Sequence, residues 1–155
     1  MVHVTGVDVP FHAHIKHGLP DGVKFELEGE ARWGFHKQIW FELKAGHHHI
    51  PLHINIRMGG DDHKHQVVVN SSHDGNWGSE KHHHTHIHPG TPIHIHVKHH
   101  DGKYEIRVND EEFHFHPHSH HLSPSHIDAL EIRGDLWINR LEVHHDHDGH
   151  VHLHH

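Results

Sequence analysis

"IHIHVKHHDGKYEIRV", residues 93–108, alternates apolar and polar side chains on both sides of an Asp-Gly pair. Alternation of this kind reads as strand, because successive side chains of an extended chain point to opposite faces. Asp101-Gly102 is a two-residue hairpin signal. Folding the chain there sets the register. Val97 faces Ile106 and Ile95 faces Val108; on the other face Lys98 meets Glu105 and His96 meets Arg107. An apolar face and a polar face emerge together, which only the correct register produces. Tyr104 joins the apolar face.

The same pattern extends outward. In "FHFH" (113–116) Phe113 and Phe115 share one face, and His114 and His116 the other. No long stretch carries a helical period; "SPSHIDALEI" (123–132) has room for one short turn. Further turns fall at "LPDG" (19–22), "MGGDD" (58–62), "SSHDGN" (71–76) and "HPGTP" (88–92). Short strands between regularly spaced turns predict an all-β sandwich. There is no internal repeat and no linker. Residues 1–9 read as an N-terminal arm, 10–143 as one domain, and 144–155, with seven histidines, as a C-terminal tail.

Composition narrows the function. At 155 residues the chain is the size of one domain, and it has no cysteine, so disulfides, thiol catalysis and Cys-type zinc sites are excluded. No signal peptide is readable at the N-terminus and no run is apolar enough to span a bilayer. A cytoplasmic location is the expectation, with any export independent of a signal peptide, and no membrane insertion. The formal charge is −8 with histidine neutral; protonating all 34 histidines would turn it to +26. Unperturbed histidine titrates near pH ~6.5, so the surface reverses sign over a physiological interval. Solubility or association state is expected to change between pH ~7.5 and ~5.5, and light scattering across that range checks it. At neutral pH an acidic chain without Lys/Arg clusters is a poor nucleic-acid binder.

The chemistry concentrates elsewhere, in "LHINIRM" (52–58). On a strand His53, Asn55 and Arg57 project from one face while Leu52, Ile54, Ile56 and Met58 enter the core. An ordinary polar strand face would explain one such triplet. Together, though, the three side chains offer donors and an acceptor suited to a hydroxyl group that presents both lone pairs and a proton. Thirteen residues after Arg57 comes Asn70, ending "VVVN"; seven residues later "WGSE" supplies Trp77 and Glu80.

This composite, H-x-N-x-R, then V-x-N, then W-x-x-E, resembles the carbohydrate-recognition domain of the galectins. The resemblance runs from about Pro10 to Val143 and includes "GVKFELEGEA", "WFELKAG", "KYEIRVNDEEF" and "IDALEIRGDLWINRLEV". It implies a galectin-type, concanavalin A-like fold: a jelly-roll-like sandwich of two antiparallel sheets with a sugar groove on one of them. It implies a non-catalytic lectin for β-galactosides such as lactose or N-acetyllactosamine. Its partners would be glycans and glycoproteins, with a homodimer among the forms the family admits. By the resemblance, His53, Asn55 and Arg57 take the axial 4-hydroxyl of galactose, Asn70 and Glu80 the 6-hydroxyl and its neighbours, and Trp77 stacks on the ring. Arg57 and Glu80 are expected to pair. The family pattern continues W-x-x-E-x-R, but this chain has His82 at the last position. That arginine would buttress Glu80 and reach the second sugar, so affinity beyond galactose is expected to suffer.

The histidines admit a second reading, a metal- or pH-responsive protein on a galectin scaffold. His86/His88, His94/His96 and His114/His116 are i, i+2 pairs expected on strand faces, where histidine is the commonest metal ligand. Arg107 opposite His96 puts a cation where an ion would sit. No dedicated metal site and no cofactor are therefore expected, only adventitious Zn²⁺, Ni²⁺ or Cu²⁺. A glycosidase would need two carboxylates flanking a bond at ~5–10 Å, and only Glu80 is placed in the groove, so an enzyme is not expected. Asn70-Ser71-Ser72 matches a glycosylation sequon, read as fortuitous because Asn70 falls within the candidate site.

Overall fold

A computed structural model describes residues 2–60, 63–119, 121–145 and 152–154. Fourteen strands lie in chain order: β1 Val2–Val7, β2 Phe11–Lys16, β3 Val23–Ala31, β4 Gln38–Ala45, β5 His49–Gly60, β6 His63–His73 and β7 Asn76–Trp77. Then follow β8 Lys81–His84, β9 Pro92–His100, β10 Lys103–Val108, β11 Glu111–Phe115, β12 Ala129–Gly134, β13 Leu136–His145 and β14 His152–His154. They form two antiparallel sheets. One has six strands in the order β1-β13-β3-β9-β10-β11. The other has eight, β14-β2-β12-β4-β5-β6-β7, with β8 also pairing with β6. The fold is the all-β two-sheet sandwich expected.

The opening hairpin has the register that its alternation dictates: Val97 opposes Ile106, Ile95 opposes Val108, Lys98 opposes Glu105 and His96 opposes Arg107. Asp101 and Gly102 carry φ of 51° and 77°, the left-handed pair that a type I′ turn requires. Ile93, Ile95, Val97, Tyr104, Ile106 and Val108 are buried, as are Phe113 and Phe115 on β11. The facing sheet contributes Ile39, Phe41, Leu43, Leu52, Ile54, Ile56, Val67 and Val69. Phe25 and Phe41 meet edge-on across the sandwich, with ring centroids 5.9 Å apart. The short turn expected in "SPSHIDALEI" is a 3-10 turn at Pro124–His126, capped by Ser123.

Some details depart from the expected layout. Residues 1–9 contain β1, which adds an edge to the six-stranded sheet by pairing with β13. The segment read as a tail begins inside β13 and includes β14, which pairs with β2; residues 146–151 and 155 lie outside the described residues, as do Asp61 and Asp62 of the "MGGDD" turn. One histidine of the hairpin faces inward: His99 is buried against the Tyr104 ring, and that burial pushes its pKa down. His86 and His88 do not lie on a strand, contrary to expectation. Strand β8 ends at His84 and β9 begins at Pro92, so both residues belong to the irregular segment between them. No helix among the described residues is long and apolar enough to cross a membrane.

Candidate functional site

Strand β5 delivers the triplet as its alternation requires. Leu52, Ile54, Ile56 and Met58 are buried in the core, and His53, Asn55 and Arg57 point the other way, onto the outer face of the eight-stranded sheet. Next to it, β6 loses its partner partway along. Its lower half pairs with β8, from Gln66↔His84 to Val69↔Lys81, and its end pairs with β7 through Ser72↔Trp77. Residues 78–80 leave the sheet between these two pairings, which lifts Glu80 over the face. Gly78 sits where the chain makes this step, and a Cβ there would come within 2.8 Å of the His118 ring, so any larger residue would have to displace that ring.

A cavity of about 100 Å³ results, lined by His53, Arg57, Val68, Asn70, Trp77 and Glu80. Five of the seven residues expected from sequence thus share one depression; Asn55 stands behind its wall and His82 beside it. Trp77 is half exposed at 50% and meets the His53 ring edge-on at 4.8 Å, so one indole face is open to the groove. Asn55 is buried; its carbonyl accepts from Arg57 Nε at 2.9 Å, and its amide donates to the Ile39 carbonyl. It aims the guanidinium. Asn70 lines the cavity but is itself nearly buried. Its amide donates to the Gly78 carbonyl at 3.0 Å and its oxygen accepts from the Ser71 N–H at 2.8 Å, which fastens the step that carries Trp77 and Glu80.

The expected ion pair between Arg57 and Glu80 is not formed: Arg57 is held by Asn55, and Glu80 pairs with His82 Nε2 at 2.8 Å. The His82 Nδ1 lies 3.2 Å from the Gln66 side-chain oxygen. Histidine therefore supplies the buttress for which the family pattern uses arginine. It reaches Glu80 because β8 places position 82 opposite Val68, directly beside the cavity.

Beneath the groove lies a residue that the motif does not reveal. Glu42 of β4 is buried opposite His53, and its carboxylate accepts from His53 Nδ1 at 2.7 Å. Burial alone would raise the Glu42 pKa, but the His53 hydrogen bond and charge, with Lys44 and Arg133, hold it below the ordinary carboxylate range. With Nδ1 committed to Glu42, Nε2 is the His53 nitrogen left for a ligand.

The histidine pairs offered by the sequence as adventitious metal ligands do not gather into a site. His88 is the clearest correction. Its ring packs on His65, with centroids 4.4 Å apart, while its backbone N–H donates to Thr91 Oγ1 at 3.0 Å in the turn that leads to β9. His86 meets a different neighbour, His84, edge-on at 4.9 Å. Off a strand, the i, i+2 spacing no longer aims two rings at one point, so His86 and His88 are not the matched pair expected. His94 and His96 do share a strand face, but each faces a separate carboxylate, Glu28 at 3.9 Å and Glu26 at 3.6 Å. Among the described residues none of His86, His88, His94, His96, His114 and His116 belongs to a group of three ligand atoms close enough for one ion.

The comparisons with known proteins agree with this geometry. The family model for galactoside-binding lectins matches residues 10–143. A probable galaptin of Caenorhabditis elegans, lec-8, is 31% identical over 142 residues, which is 89% of this chain and 73% of that protein. The 32 kDa β-galactoside-binding lectin of the same nematode is 35% identical over 92 residues, covering 59% of this chain and 31% of that longer protein. Among solved structures, the C. elegans galectin LEC-6 superposes with a TM-score of 0.78 at 22% identity, covering 92% of this chain and 96% of that one. The family consists of non-catalytic lectins. A site built by β5, β6 and the step into β8, on a two-sheet sandwich that matches this family over residues 10–143, places the chain in the galactoside-binding lectin family, the galectins.

Proposed function

We propose that the chain binds β-galactoside glycans, of the lactose or N-acetyllactosamine kind, in the groove over β5 to β8, and does not transform them. The observation that carries this reading is the convergence of His53, Arg57, Asn70, Trp77 and Glu80 on one small cavity with an open indole face. Galactose has an apolar patch of C–H groups, and an aromatic face buries such a patch well. Its axial 4-hydroxyl would donate to His53 Nε2 and accept from the Arg57 guanidinium. The 6-hydroxyl would lie between Asn70 and Glu80. Hydrogen bonds to Arg57 and Glu80 are charge-assisted and carry about 1.5–3 kcal/mol each, against about 1 for a neutral pair.

Glycoproteins and glycolipids that display galactose are the partners this site fits. A homodimer would present two grooves; one structural relative, CG-16 from chicken liver, is a homodimeric agglutinin (TM-score 0.67, 21% identity). Glycan-array binding with and without chelator tests the reading. Galactoside binding that is unchanged by chelator supports it, and a well-folded protein silent to every galactoside overturns it. Binding that requires a metal would favour the metal-responsive alternative.

His82 sets the expected limit on affinity. It braces Glu80, but it is too short to reach a second sugar at the same time. Restoring arginine in His82→Arg is expected to improve lactose binding by about 1–2 kcal/mol, roughly 5–30-fold, through one further charge-assisted hydrogen bond less its ordering cost. Free galactose should gain little. Parallel calorimetry with both ligands checks this; equal gains would mean that the arginine acts only through Glu80.

A further inference from the structure

On the outer face of the six-stranded sheet, opposite the groove, one cross-strand row reads His3, Glu142, Glu26, His96. His3 of β1 opposes Glu142 of β13, Glu142 opposes Glu26 of β3, and Glu26 opposes His96 of β9. Two carboxylates directly opposed on neighbouring strands repel each other. The eight-stranded sheet has a similar pair, Glu131 opposite Glu42, and there Lys44 stands between them, 2.9 Å from Glu131 and 4.0 Å from Glu42, with Arg133 alongside. Between Glu26 and Glu142 stands a histidine instead. His144 Nε2 lies 3.1 Å from Glu26 Oε2 and 2.9 Å from Glu142 Oε2. A single ring N–H is shared between two carboxylates.

We propose that Glu26, Glu142 and His144 form a binding site for a divalent transition metal of the Zn²⁺ type. Their three ligand atoms all lie within 4.8 Å of one another, the one such group among the described residues. Tetrahedral Zn²⁺ with bonds of ~2.0–2.2 Å needs ligand atoms about 3.4 Å apart, so His144 Nε2, at 3.1 and 2.9 Å from the two carboxylates, need draw back from each by only a few tenths of an ångström to admit the ion in place of the shared proton. On Glu142 neighbouring side chains hold the outer carboxylate oxygen and so aim the inner one. Glu142 Oε1 is held by His3 Nδ1 at 3.1 Å and by Arg140 at 3.4 Å; Glu26 Oε1 faces His96 Nε2 at 3.6 Å and Lys24 at 4.0 Å. Partners of this kind orient ligating carboxylates in metal sites. Arg140 does not compete for the ion's place, because its shorter contact, 2.6 Å, is to Glu28. Two carboxylates neutralise a divalent charge, a neutral imidazole completes three ligands, and the fourth position is left to water. The N/O ligand set without thiolate suits Zn²⁺, and Cu²⁺ or Ni²⁺ by the same chemistry. The site ties β3 to β13, on the sheet face away from the sugar groove.

Zn²⁺ titration by calorimetry, on the full chain, tests this against the many other histidines. The wild type is expected to show a first equivalent bound at least tenfold more tightly than the rest. Glu26→Gln and Glu142→Gln should each abolish that tight class, while the double variant His114→Gln/His116→Gln keeps it. His144→Gln provides the same test should a carboxylate variant fail to fold, with circular dichroism as the check on folding. Zn²⁺ should also raise the melting temperature of the wild type, and not that of the carboxylate variants. A first equivalent bound equally well by wild type, Glu142→Gln and His144→Gln would place the ion on other histidines and overturn the proposal. So would a wild type without any tight class.

Discussion

Trp77→Ala is expected to abolish measurable lactose binding while leaving the fold untouched, and Arg57→Ala to abolish binding at some cost in stability. Monovalent affinity in a shallow, solvent-open groove should be weak, micromolar to millimolar, or about −8 to −4 kcal/mol. Trp77 supplies most of the apolar surface that the sugar would cover, and losing an indole face costs about 2–3 kcal/mol, roughly 30–150-fold. Its side chain is half exposed and outside the core cluster, so the melting temperature should hardly move. Arg57 supplies charge-assisted donors to the ring hydroxyls, and its loss costs about 3 kcal/mol of binding, more than 100-fold. That variant also strands the carbonyl of buried Asn55, which Arg57 Nε satisfies in the wild type. An unsatisfied buried acceptor costs about 1–3 kcal/mol, so Arg57→Ala should melt several degrees earlier. Calorimetry with lactose, paired with thermal melts, separates the two effects. Retained lactose binding in Trp77→Ala would remove the stacking surface from the proposed site.

The contrast between these two residues shows what a sequence makes legible. The hairpin at Asp101-Gly102 could be read completely, because a two-residue turn leaves one register that separates Ile95, Val97, Ile106 and Val108 from their polar neighbours. The triplet His53, Asn55, Arg57 was legible as one strand face for the same reason. What each member does within that face was not. Asn55 and Asn70 read as ligands in the sequence, but it does not reveal that each also bonds to protein atoms, which depends on how deep each sits and where residues 78–80 leave the sheet. Alternation also misleads where no ladder continues: "THIHP" has the period of a strand, but the chain at His86 and His88 has already left β8. Glu42 was missed altogether. Alternation in "IWFELKA" puts it on the outer face with Trp40 and Lys44, but its position opposite His53 depends on the β4–β5 connection. That connection carries a register shift between Leu43 and Ala45, which turn residues alone do not fix. The row from His3 to His96 is less legible still, because it joins four strands far apart in the chain whose order is a property of the whole sheet.

Glu42→Gln is expected to weaken lactose binding about tenfold and to lower stability by about 1–3 kcal/mol at neutral pH, both through a carboxylate that never touches the sugar. The glutamine carbonyl can still accept from His53 Nδ1, but without the charge that makes the 2.7 Å bond strong and fixes the tautomer. His53 would then spend part of its time with the proton on Nε2, where it cannot accept from the 4-hydroxyl. The stability effect carries a distinctive pH dependence. In the wild type His53, Lys44 and Arg133 hold the Glu42 pKa below its ordinary value despite burial. A carboxylate whose pKa is lower folded than unfolded stabilises the fold fully above its unfolded pKa, about 4.3, and loses that contribution as the pH falls through the folded value. The gap between wild type and Glu42→Gln should therefore be constant from about pH 7 down to about pH 5 and then close with further acidification. Urea denaturation at pH 7, 5 and 3.5 measures it. Part of the network reaches solvent through Lys44 and Arg133, which keeps the gap toward the lower end of the range. A gap that persists unchanged at pH 3.5 would mean that Glu42 acts by shape and packing alone, and that the charge beneath the groove does not set the His53 tautomer.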